Sequence, residues 1–567
     1  MVCLQTLLLA AQKNAPKWLD KQRKAVFTLT TYDKENKKIT TGTGFFITET
    51  GEALSGYSLF KGAARAVVKE ADGKEYEVSR ILGADELYDV IRFQVDVPKK
   101  VTAFSLATEP LAVGAEVYLL PFATGKSGRF EKGAVTEVSK LKDPYSYYKI
   151  AFPLEAGDVN APLLTASGDV FGLAQEDASG KREASYAVSA GYAASLAVGS
   201  ADAFNSVYNQ IGIRKAWPAE LDQAQVALFL KGNNEDAFTY LRTLDDFIAT
   251  FPDAPDGYLS RASHYAYHRA ELADTPEAQN RYLDKALDDL EAAARRTEKK
   301  SEAEYSRAKL IYGVAALDTA LHQEKWSIAA ALETVQRAIQ MDDSPLYRQL
   351  EGDIYFFQRN FQAAYDDYMR VNESPMATPA SWYWAEKAKA NLPGVNFGDL
   401  IALLDSAVAH CGTPPSAEAL PFILERIDLK LKLMNYPAAL ADYALYYTVA
   451  NGKVDDSFYY YREQAKFKSG DLEGALADIQ MAMQLSPADP VYPAEEASVY
   501  MRLEKYDLAL ESVEKALKLA PEFAACYRLR GVCYVRQKKM AEACEALHKA
   551  EELGDPVAPR LIKAHCK

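Results

Sequence analysis

From residue 24 to residue 200 the apolar positions come in short runs: "AVFTLTTYD", "TGFFIT", "RAVVKE", "KEYEVSRILG", "VIRFQVD", "AEVYLLPF", "YKIAFPL", "DVFGLAQ" and "ASYAVSA". Each run is strand-sized, and Gly, Asp and Pro punctuate them in turn signals such as "ETGE", "ADGK" and "ASGD". Short alternating runs closed by turn residues predict an all-β region, a sandwich or barrel assembled from hairpins. Around "AFNSVYNQIGIRKAWPAELDQ" the apolar period changes from two to about 3.6 residues, and Pro218 marks the change. This places a β domain over 17–200, a linker over 201–216 and a helical region over 217–567. The helical region repeats. Ala475, Ala509 and Ala543 are 34 residues apart, as are Ala482, Ala516 and Ala550, while Pro487 and Pro521 close two of the units. Two helices approach closely only where one presents a small side chain, and proline ends the second helix before the next begins.

A further strong copy is "LYRQLEGDIYFFQRNFQAAYDDYMRVNESP", with Gly352, Tyr355, Phe361, Ala364, Tyr368 and Pro375 in the places such a repeat favours. Weaker copies centre on Ala237 and Pro252, Ala286 and Ala293, Ala331 and Ala338, and Ala439. A 34-residue period with these small residues identifies the region as resembling tetratricopeptide repeats (TPR), about seven to nine in number. Such an array stacks into a superhelix whose concave side is lined by the first helix of each pair. The inward positions in the best copies are Phe356, Tyr460, Phe467, Arg528 and Arg536, and these are the expected contacts for a protein or peptide partner.

Composition narrows the classes. The chain has 567 residues, 49% of them hydrophobic and 25% charged, which is that of a fully folding protein with more than one core. A net charge of -14 with no compensating basic run makes nucleic acid an unsuitable ligand. There is no apolar stretch long enough for a membrane-spanning helix. "MVCLQTLLLAAQ" has the apolar core and small residues of a signal peptide without its basic start, so residues 1–16 read as a partial signal peptide and export is expected. Cysteine is absent between Cys3 and Cys411, and the others crowd into the last third, a distribution that does not predict a disulfide framework.

Three ordered segments of the β region carry chemistry. "GTGFFITETGEALSGYSLFKGA" resembles the stretch holding the catalytic histidine in trypsin-like serine proteases of the HtrA type, with Ser58 in the histidine's place. "ILGADELYDVIRFQV" resembles the stretch holding the catalytic aspartate, and Asp89 matches it. "EAGDVNAPLLTASGDVFGLAQ" is similar to the nucleophile loop and its following hairpin, with Gly157, Asp158, Pro162, Gly168, Val170 and Gly172 in register. Val159 stands where the serine would be, and Asn160 and Ala161 replace two glycines. The resemblance implies a multidomain chain: an all-β trypsin-like double β-barrel followed by an all-α TPR superhelix, of a kind found in bacterial cell envelopes. It therefore implies a periplasmic or outer-membrane-associated location, within a cell-envelope complex.

Acyl transfer by this route needs an oxygen nucleophile, a base that titrates near neutrality and a carboxylate to orient the base. Valine has no atom that attacks a carbonyl, and serine has no group that titrates near neutral pH. No histidine occurs before His264, so no imidazole of the β region can replace the missing base. These residues predict an inactive protease homologue that serves as a protein-interaction scaffold. Two alternatives stay open: a serine-type hydrolase with rearranged catalytic residues, and a regulator that binds peptide in the old cleft and along an open strand edge. The amides near Gly157 and Val159 would form an anion-holding nest if Asn160 and Ala161 tolerate glycine-like backbone angles. "ATGKSGRF" lacks the first glycine of a phosphate loop and reads as a turn. His264 and His268 share a helix face without the carboxylate of a metalloprotease motif. No metal and no cofactor is expected.

Overall fold

The computed structural model describes residues 16–123, 129–177, 184–321 and 323–566. The apolar start and most of "ATGKSGRF" lie outside the described residues. Twelve strands close into two barrels. The first is ordered β1 (Val26–Tyr32), β2 (Lys38–Phe46), β3 (Glu52–Ser55), β6 (Val90–Val95), β5 (Glu75–Asp85) and β4 (Arg65–Lys69). The second is ordered β10 (Pro162–Thr165), β11 (Val170–Gln175), β12 (Ser185–Ser189), β9 (Ser146–Ile150), β8 (Glu131–Lys140) and β7 (Glu116–Leu119).

Period-two patterning explains the first barrel. In β1, Phe27, Leu29 and Thr31 are buried while the residues between them are partly exposed. Phe27 packs on Phe46 at 4.6 Å and Phe60 on Phe93 at 5.1 Å between ring centroids. Each such ring contributes about 1.5–3 kcal/mol on leaving water. A separate cluster joins the barrels, with Phe45, Leu54 and Val90 of the first meeting Val170, Leu173 and Val188 of the second. Because each named strand is paired on both sides, the open strand edge expected for peptide binding is not offered by these twelve strands.

The stretch read as a linker is part of the first barrel. Tyr208, Ile211 and Ile213 are buried in its core. Ile81 N–H donates to Arg214 O and Ala216 N–H donates to Ile81 O, each at 2.7 Å. The apolar spacing of "VYNQIGI" is too short to show a regular period, which is why it read as a connection.

Two compact units divide the chain, residues 1–296 and 297–567. The first unit ends in helices α1 (Leu221–Gly232), α2 (Ala237–Thr250), α3 (Pro255–Tyr267), α4 (Arg269–Leu272) and α5 (Pro276–Arg296). Within it Asp246 of α2 accepts from Arg214 Nε at 2.7 Å and Trp217 Nε1 at 3.0 Å, fastening the helices to the segment that lies along the barrel.

The second unit opens with α6 (Lys300–Leu317), α7 (Ile328–Met341), α8 (Pro345–Phe357), α9 (Phe361–Asn372), α10 (Pro379–Ala390) and α11 (Phe397–His410). It continues with α12 (Leu420–Lys432), α13 (Tyr436–Val449), α14 (Asp456–Ser469), α15 (Leu472–Leu485), α16 (Val491–Arg502) and α17 (Tyr506–Leu519). It closes with α18 (Ala524–Arg536), α19 (Met540–Glu552) and α20 (Ala558–His565). The periodic alanines are fully buried. Gly531 of α18 shows why: a Cβ there would meet Leu547 Cγ at 2.6 Å. Arginine–aspartate pairs also recur between paired helices: Arg348 with Asp367, Arg426 with Asp442, and Arg462 with Asp478. At the end of the array Cys544 and Cys566 are disulfide-bonded, a bridge the cysteine distribution did not predict. No helix among the described residues is long and apolar enough to cross a membrane.

Candidate functional site

A short 3-10 turn, Tyr57–Phe60, follows Gly56 and is pinned by the buried Tyr57 ring, whose hydroxyl donates to Val207 O at 2.9 Å. That turn aims Ser58 at the chain just ahead of β6. Ser58 N–H donates to Asp89 Oδ1 at 2.6 Å and Ser58 Oγ donates to Asp89 Oδ2 at 3.0 Å. Asp89 has φ +48°, a left-handed conformation that aspartate tolerates better than most residues. Burial raises its carboxyl above the ordinary aspartate range, opposed by the two Ser58 hydrogen bonds and by nearby Lys61. The carboxylate that would orient a histidine therefore spends both oxygens on Ser58.

Asp89 and Val159 line one cleft of about 490 Å³, together with Tyr88, Lys140, Tyr147 and Gln175. The positions matched to the three catalytic roles are thus neighbours: Ser58 is bonded to Asp89, and Asp89 shares the cleft with Val159. The Val159 loop is built firmly. Arg129 pairs with the buried Asp158, the Glu155 amide donates to Asp158 Oδ2 at 3.2 Å, and Thr43 Oγ1 donates to Gly157 O at 3.3 Å. Asn160 takes φ +65°, so it accepts the backbone angle a glycine would have used. Its carboxamide is buried against Gly56, where an added Cβ would sit 2.5 Å from Asn160 Nδ2.

Sequence reasoning did not single out the cleft walls. Gln175 Nε2 donates to Tyr88 O at 2.6 Å, and Tyr147 hydroxyl donates to Gln175 Oε1 at 2.9 Å, which ties β9, β11 and the Asp89 loop together. Burial pushes the Tyr147 phenol up to about 12, so it stays a neutral donor. Gln175 ends the hairpin that carried the third segment's resemblance, and that was the one available signal.

The five expected partner contacts lie on first helices of their pairs. Phe356 of α8 packs edge-on against Phe361 at 5.4 Å and Trp384 at 5.3 Å. Tyr460 of α14 packs against Tyr461 at 5.2 Å and Tyr492 at 5.7 Å. Phe467 lies under the Arg502 guanidinium at 5.9 Å. Arg528 of α18 donates to Asp555 at 2.9 Å, and Arg536 is exposed. Phe356, Tyr460 and Arg528 thus already hold neighbouring helices, while Arg536 is open to solvent. His264 Nε2–H donates to Ala237 O at 2.8 Å, His268 Nδ1–H donates to Glu271 Oε1 at 2.7 Å, and no cluster of metal-ligating side chains occurs among the described residues.

Residues 42–173 match the family described as trypsin-like peptidase domain, and residues 495–557 match the family described as tetratricopeptide repeat. The chain thus carries a trypsin-like double β-barrel followed by a TPR array. Among curated proteins it is 24% identical over 150 residues to the anti-sigma-I factor RsgI9 of Acetivibrio thermocellus, covering 26% of this chain and 21% of that one. It is 26% identical over 135 residues to a probable periplasmic serine endoprotease DegP-like of Halomonas elongata, covering 23% of this chain and 28% of that one. The chain thus spans well under a third of the length of either relative. Among solved structures, the HtrA-type protease AlgW with tripeptide aligns at a TM-score of 0.27 and 18% identity, over 31% of this chain and 60% of that one.

Proposed function

We propose that this protein is a non-enzymatic interaction scaffold, in which an inactive protease-like domain and a TPR array both present surfaces to protein partners. One observation carries the reading: the cleft beside Asp89 holds the hydrocarbon side chain of Val159, and Asp89 is bonded to a serine in place of an imidazole. Ser139 and Lys140 also line the cleft, but Val159 brings no attacking atom to the matched nucleophile position and Asp89 has serine, not imidazole, as its partner. The TPR array supplies the partner-binding half, with Phe356, Tyr460, Phe467, Arg528 and Arg536 as contacts. Likeness to a protein described as a periplasmic endoprotease supports an exported location, in the periplasm or at the outer membrane.

A second reading is favoured by the cleft itself. Its volume suits a peptide side chain, and its walls offer Lys140, Tyr147 and Gln175 for binding without cleavage. Affinity purification of the full chain from its host separates the two. Loss of a partner on Arg536→Glu but not on Val159→Trp supports the array as the docking half. The opposite pattern supports the cleft, and casein turnover by the purified protein contradicts both.

A further inference from the structure

The end of the array is held by chemistry of two kinds. Helix α20 has eight residues, too few to persist alone in water, and Ala558 is its one fully buried side chain. Leu561 and Ile562 are half-buried. Its start is fixed by Asp555, which accepts from Val557 N–H at 2.9 Å and Ala558 N–H at 3.0 Å while its other oxygen receives Arg528. Its far end is fixed by the bond between Cys566 and Cys544 of α19, 22 residues apart in sequence.

We propose that the Cys544–Cys566 bridge is a reversible redox clasp that docks α20 onto the end of the array and releases it when a dithiol reductant is present. Both cysteines are half-buried, so a small reductant reaches them. A reductant thiolate attacks one sulfur and breaks the S–S bond, giving a mixed disulfide and one cysteine thiolate that takes up a proton. The reductant's second thiolate then displaces the other cysteine, which is protonated in turn. The bridge gains two electrons and two protons, and the dithiol leaves as a disulfide. The remaining described cysteines stand apart from this exchange. Cys411, Cys526 and Cys533 are free and buried, and burial pushes the thiols of Cys526 and Cys533 up to about 12 and about 11, which keeps them protonated. Once the bridge is open, α20 retains the Asp555 cap and the half-buried contacts of Leu561 and Ile562. Opening of α20 is then set by redox state rather than by the stability of the array.

The test uses the full chain, air-oxidised or treated with dithiothreitol under native conditions, with Cys566→Ser in parallel. Peptide mapping of the oxidised protein is expected to recover the linked Cys544 and Cys566 peptides. Hydrogen exchange over 558–565 is expected to quicken by about ten-fold or more on reduction and in Cys566→Ser, with α12 to α17 unchanged. Absence of the linked peptide, or equal protection of 558–565 in all three samples, overturns the clasp. So does a loss of protection that spreads through the array, because the bridge would then hold the fold and not the helix.

Discussion

Asp89 is the residue that matches the catalytic aspartate of the resemblance, and its partner in the structure is a serine. Half-buried, it needs donors, and Ser58 supplies two. Ser58→Ala removes the hydroxyl donor and is expected to cost about 1 kcal/mol, read as a lower urea midpoint at unchanged slope. Of the residues matched from the sequence, Asp89 and Val159 line one cleft and Ser58 is bonded to Asp89, because the matched segments lie on strands and loops that the barrels bring together. The nest near Gly157 and Val159 required Asn160 to tolerate a glycine-like angle, and Asn160 takes φ +65°, which asparagine accepts more readily than most side chains. Glu463 of α14 has no signature in the sequence, where it lies among other charged residues of a helix. It is fully buried, one carboxyl oxygen has no hydrogen-bond partner, and burial with Glu495 nearby raises it to about 8. Its folded value lies above its unfolded one, so the stability it contributes is present below the ordinary glutamate range and is lost as pH rises towards about 8. Glu463→Gln is expected to match the parent near pH 4 and to exceed it increasingly in thermal unfolding up to about pH 8, levelling above. An unchanged pH profile would remove Glu463 from the account.

Elements were legible where burial alternates strongly and illegible where it does not. Strands β1, β5, β6 and β11 coincide with apolar runs, but β8 buries only Val135 among ten residues, so its sequence carries no period to read. Strands β3 and β10 are four residues each and were absorbed into the segments around them. The helices announced themselves through alanine spacing, whereas the arginine–aspartate pairs between them did not, since charged residues on a helix ordinarily read as a solvated face. Arg426 donates to Asp442 at 2.9 and 2.7 Å, with both side chains buried. Asp442→Ala removes the buried bidentate partner of Arg426, which then keeps only Asp405 at 2.7 Å, and is expected to cost about 3 kcal/mol in urea unfolding. The pair Arg426→Met with Asp442→Leu is expected to recover most of that loss. A single variant with no measurable effect would assign the pair to the solvated surface.

At the scale of the molecule, two periods along one chain gave two architectures, and the change of period near Pro218 lies just ahead of α1, which belongs to the same compact unit as the barrels. What could not be read there was the fastening. The segment before Pro218 is bound along the first barrel, and Asp246 of α2 gathers Arg214 and Trp217. Asp246→Ala is expected to open residues 214–220 to limited trypsin digestion at least several-fold faster than in the parent, with the barrels and later helices resistant. The distribution of histidine acts at this scale too, because six histidines all lying beyond residue 263 leave the β domain without an imidazole of its own.

The most direct measurement is treatment of the purified full chain with a fluorophosphonate probe, followed by intact-mass spectrometry. With Val159 in the cleft and no imidazole beside Asp89, no adduct is expected on any serine. A stoichiometric adduct on one serine, abolished by its replacement with alanine, would contradict the account.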